Sequence, residues 1–79
     1  MPEPFRDIHR IWALKEIVLA ATDKCKILCE KDDVVSTQLM LTLMLIVSEA
    51  TEKILHLQWT NAEGLQHGVK IYSQAIENL

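Results

Sequence analysis

The chain reads as an all-α protein, a three-helix up-down-up bundle completed by oligomerisation. Three observations predict this. Residues 39–47 read LMLTLMLIV, eight of nine apolar, and a helix that is apolar all round is a buried one. Apolar residues recur at helical spacings of three and four on both sides of that stretch. Both prolines, Pro2 and Pro4, lie in the lead-in, and both glycines, Gly64 and Gly68, lie in the last third, so residues 5–58 carry no helix breaker. The 79 residues make one domain, with helices expected over about 5–31, 34–58 and 61–78. Chains of this size bury only about 60–65% of their unfolded surface, so a monomer is marginal.

The first helix has a strict heptad, Ile11, Leu14, Val18, Ala21, Cys25 and Leu28, expected to be its core seam. Glu16, Asp23 and Glu30 occupy the opposite, solvated positions. A second stripe, Phe5, Ile8, Trp12 and Leu19, has two readings: it packs under the third helix, or it is an interface, since a monomer rarely exposes so large an apolar stripe. Pro2 and Pro4 suit a helix start. The lead-in MPEPFRDIHR lacks the charged, apolar and small-residue segments of a signal peptide.

Glu30-Lys31-Asp32-Asp33 breaks the helical run. Asp32, Asp33 or Ser36 can cap the second helix by accepting its unpaired N–H groups, and the acidic side chains suit the positive end of its dipole. Leucine and methionine dominate this helix, which favours helix over strand. Its seam is Met40, Leu43, Val47, Ala50, Ile54 and Leu57, and Glu49 precedes Lys53 by four in the favourable order for an ion pair. Nine apolar residues span about 13–14 Å, against the roughly 20 residues a bilayer needs. Ser48, Glu49, Thr51, Glu52 and Lys53 follow at once, so this reading excludes a membrane span. Two neighbours cover at most about two-thirds of a helix circumference, which leaves Leu41, Met44 and Leu45 bare. Leu45, opposite the seam, is the least coverable. A symmetric homodimer or higher oligomer centred on this helix solves the problem. The expected interface is Phe5, Ile8, Trp12, Leu19, Leu41, Met44 and Leu45.

Thr60-Asn61-Ala62-Glu63 has the form of a capping box and starts the third helix. Leu65, Val69, Tyr72, Ile76 and Leu79 alternate at four and three. Gly64 and Gly68 each cost about 1 kcal/mol against alanine in a helix. The expected compensation is close approach to a neighbouring helix, with Ala75 continuing the small face.

The sequence carries no constellation that points to catalysis or metal binding. Nucleophilic catalysis needs a nucleophile, a base and an orienting group around a pocket. Cys25, on the predicted seam, reads as a small hydrophobe. Cys25 and Cys29 are too close in sequence for a useful disulfide loop, so reduced thiols and a cytoplasmic setting are expected. Glu52/His56 and Glu63/His67 could meet across the second turn, but Lys53 stands where a helical di-metal site needs glutamate. Polar helix ends explain the four residues, and no catalytic residue, metal or cofactor is expected. The net charge of −3 and pI of about 5.5, with eight scattered lysines and arginines, do not attract phosphate backbones or anionic lipid. Aligning Gly68 with the turn glycine of a helix-turn-helix leaves Glu63, His67, Gln74 and Glu77 at positions that should be apolar, with Lys70 a single cation. The leading expectation is therefore a non-enzymatic, homo-oligomeric interaction module: an adaptor, chaperone or regulator. The runner-up is a DNA-binding or transcription-associated regulator with a degenerate helix-turn-helix.

Overall fold

The computed structural model describes residues 7–31, 33–56, 59 and 61–79. Among them are three helices, α1 (Asp7–Lys31), α2 (Val34–Leu55) and α3 (Ala62–Glu77), and no strand. Phe5, Leu57 and Thr60 lie outside the described residues. Lys31 ends α1, placing a cation at the negative end of the helix dipole.

Asp33 caps α2 from an extended backbone. Its Oδ1 accepts from the Ser36 backbone N–H at 2.6 Å, and its carbonyl accepts from Thr37 N and Thr37 Oγ1, both at 3.0 Å. The Ser36 backbone bond first, and the Ser36 side chain second, hold the Asp33 carboxyl below its ordinary pKa of 3.8. At the far end, the His56 N–H closes on the Glu52 carbonyl at 2.9 Å.

The start of α3 differs from the capping-box expectation by one residue. Asn61 is the cap, its Oδ1 accepting from Gly64 N at 2.7 Å. With Asn61 in that role the third helical position is Gly64, which has no side chain to reach back, so no reciprocal box forms around it.

The core joins Ala13 and Ile17 of α1, Leu43, Ala50 and Ile54 of α2, and Leu65, Val69 and Ile76 of α3. On α3 these are the stripe that periodicity selects, with Tyr72 and Leu79 packed against it. On α1 the expected seam holds in part: Leu28 is buried and Leu14, Ala21 and Cys25 pack against the core. Ile11 is 65% and Val18 56% exposed, and Ala13 and Ile17 are buried in their place. The reason is size. Alanine at position 13, facing a core that includes Ala50, lets helix axes come close, whereas Ile11 and Val18 would hold them apart. Helices pack at 8–10 Å according to the side chains between them.

Both glycines are also reassigned. A Cβ on Gly68 would overlap Cζ2 and Cε2 of the Trp59 ring, and one on Gly64 would meet Trp59 Cδ1 at 3.6 Å. Gly68 makes room for an indole from the preceding connection rather than for another helix, and the tighter neighbour of Gly64 is the capping Oδ1 of Asn61, 3.2 Å from where a Cβ would lie. A further bond ties the fold together: Lys24 Nζ of α1 donates to the Glu77 carbonyl at 2.8 Å. α3 has no basic residue of its own in its last turn, and α1 supplies the cation that its carbonyl end favours.

Candidate interaction surface

Of the 22 residues of α2, only Ser36, Leu43, Ala50 and Ile54 are buried. Leu41, Met44 and Leu45 are 60, 67 and 71% exposed, and Val34, Val35 and Leu55 are exposed with them. Leucine and methionine placed all round the helix make this unavoidable: α1 and α3 cover one side of it, and among the described residues nothing covers the rest.

Ile8, Trp12 and Leu19 are exposed too, so the reading in which this stripe packs under the third helix does not hold. At about 100° per residue they point within roughly 40° of the direction opposite Ile17. Leu41, Met44 and Leu45 project from a different helix. The predicted interface residues are therefore split between two surfaces, with Phe5 outside the described residues.

Between α1 and α2 runs an open groove of about 460 Å³, lined by Ala21, Thr22 and Cys25 on one side and Leu43, Met44, Val47 and Ser48 on the other. No carboxylate, amine or guanidinium lines it. Cys25 is half-buried on this wall, packed against the edge of the core, and its Sγ is 3.9 Å from Cys29 Sγ, with neither thiol in a disulfide. Ile11 and Val18 continue the same flank of α1, at the seven-residue spacing that carries on to Cys25. The expectation that this spacing faces the core fails at Ile11 and Val18, although a sustained seven-residue repeat still marks a seam against a partner helix.

A second depression, about 340 Å³, is polar and lined by Glu49, Glu52, Lys53 and His56. Lys53 Nζ is 3.9 Å from Glu49 Oε1 and 5.6 Å from the centre of the Tyr72 ring. Hydrogen bonding with Tyr72 first, then its field and that of Glu49, raise the ammonium above its ordinary pKa. Among the described residues, no group of three or more His, Cys, Asp or Glu could hold a metal ion.

α3 is continuous from Ala62 to Glu77, as its spacing predicts, so Gly68 sits mid-helix and no helix-turn-helix turn forms there. The membrane expectation changes, because the apolar helix does not end with residues 39–47. The helix runs from Val34 to Leu55, is long and apolar enough to cross a membrane by length and composition, and has 17% of its most apolar window buried.

Comparison with protein-family models, with curated proteins and with solved structures finds no match to this chain.

Proposed function

We propose that this chain is a small, non-catalytic protein-interaction module that works as a homo-oligomer, in the role of an adaptor, chaperone or regulator. Its helices run up-down-up, because connections as short as Asp32-Asp33 return each helix beside the last. The observation that carries the reading is the apolar surface of α2, centred on Leu41, Met44 and Leu45. Burying such side chains stabilises by about 1.5–3 kcal/mol each, a large fraction of the roughly 5–15 kcal/mol that holds a domain folded. A second copy carries the same surface and meets it across a two-fold axis. Light scattering coupled to size exclusion should return at least twice the chain mass of 9.0 kDa. A mass of 9.0 kDa at about 100 μM, roughly a hundredfold above a micromolar dissociation constant, overturns it.

A second reading rests on the length and bareness of α2: the helix is the part of the chain that enters a bilayer. Flotation with neutral phosphatidylcholine vesicles separates the two. The oligomer stays in the dense fraction, and a membrane helix floats.

A further inference from the structure

We infer that the second copy seats on the α1/α2 groove, with Ile11, Val18 and Cys25 of α1 and Met44 of α2 forming the seam. This rests on the self-association proposed above and says which face carries it.

The first argument is periodic. Ile11, Val18 and Cys25 are seven apart, and a seven-residue repeat keeps its side chains facing one partner helix. Among the described residues Cys25 reaches only the edge of the core, half-buried, and Ile11 and Val18 stay 65 and 56% exposed. At about 100° per residue the three lie roughly 80–120° round from Ile17. That is the flank on which Cys25 meets the groove. Met44 lies about 100° round from Leu43, and Leu41 about 160°. The α1 flank, the groove and the near side of α2 thus form one continuous face. Leu45 falls beyond its rim, so the centre of contact moves from Leu45 to Met44.

Charge separates this face from its rival. Asp23 and Lys26 share the outer side of α1 with Ile8, Trp12 and Leu19, and Lys15 stands between that side and the Ile11–Val18 flank. The groove walls carry no such group. Two chains of net charge −3 therefore meet on neutral surface without like charges opposed, and like-charge juxtaposition costs several kcal/mol at an interface.

Size agrees. α2 has 22 residues, about 33 Å, and two adjacent helices are about 20 Å wide. The footprint is roughly 600–700 Å², near the about 800 Å² that each partner gives up in a standard stable interface. A second copy docked here adds its own two helices face to face, making a four-helix layer at the contact.

The test compares neighbouring substitutions on two sides of α1, both at exposed positions. Val18→Lys should reduce the mass by half at unchanged helical circular dichroism, and Leu19→Lys should leave the dimer intact. Dissociation by Leu19→Lys with Val18→Lys still dimeric overturns the assignment, as does a dimer that survives both changes or is lost in both. A monomeric wild type instead overturns self-association itself. A second measurement reads burial of the seam directly. In Cys29→Ser, alkylation of Cys25 by N-ethylmaleimide should slow at least tenfold between dilute and 100 μM protein, and Val18→Lys should abolish that protection. Protection that ignores concentration and appears only with phosphatidylcholine vesicles overturns the inference in favour of a membrane.

Discussion

α2 and α3 each bury four residues, and they are otherwise opposites. On α3 the buried set is Leu65, Gly68, Val69 and Ile76, and the outward positions Gln66, His67, Lys70, Gln74 and Glu77 are polar. Ile71 is its one exposed large hydrophobic residue. On α2 the buried set is Ser36, Leu43, Ala50 and Ile54, and Val34, Leu41, Met44, Leu45 and Leu55 face outward. A helix whose apolar residues match the area its own chain covers is finished by folding. α2 carries more apolar surface than two neighbours can cover, and the surplus is what makes it the candidate interaction element.

The largest effect that bears on this contrast is loss of core volume. Ile76→Ala on α3 should cost about 2–5 kcal/mol, as buried large-to-small changes do. Leu45→Ala on α2, measured at a concentration where the protein is monomeric, should change stability by no more than about 0.5 kcal/mol. Urea midpoints report both. Equal losses would erase the distinction between a finished and an unfinished helix.

Next in size is the fit of Trp59 on α3. Gly68→Ala should destabilise by up to about 2 kcal/mol, because overpacking costs roughly 1–3 kcal/mol and helix propensity returns about 1 kcal/mol. In a Trp59→Ala background the sign should reverse, the alanine then stabilising by about 1 kcal/mol. A double-mutant cycle with no coupling would mean that the indole does not sit on Gly68.

The helix starts give the smaller effects. Asn61→Ala should cost α3 about 1 kcal/mol through loss of its N-cap. An unchanged denaturation midpoint would remove Asn61 from that role. The cap of α2 is ionised and that of α3 is neutral, so acid should separate them. The pKa of Asp33 is depressed in the folded chain, so its contribution is complete above 3.8, the ordinary value, and fades as pH falls through the lower folded value. Asp33→Asn should remove that part of the acid dependence of the melting temperature, a shift of a few degrees or less. Identical acid profiles for the two proteins would show that the charge of the cap does not matter.

Much of this was legible in residue order. Three helices follow from apolar spacing and from the absence of breakers before Gly64. The buried stripe of α3 follows from Leu65, Val69 and Ile76, because all its other positions but a few are polar and leave one choice of inward face. The apolar excess of α2 is likewise a property of composition. What residue order could not decide is which of several apolar faces turns inward. α1 offers the heptad Ile11–Leu14–Val18–Ala21–Cys25–Leu28, the stripe Ile8–Trp12–Leu19, and the pair Ala13 and Ile17, and hydrophobicity ranks the first two at least as high as the third. Only the neighbours decide, because close packing of α2 and α3 admits Ala13 where it would refuse a larger side chain. The same holds for Trp59 on Gly68 and for Lys24 at the Glu77 carbonyl. Each joins residues whose meeting depends on where two segments lie in space, which local periodicity does not encode.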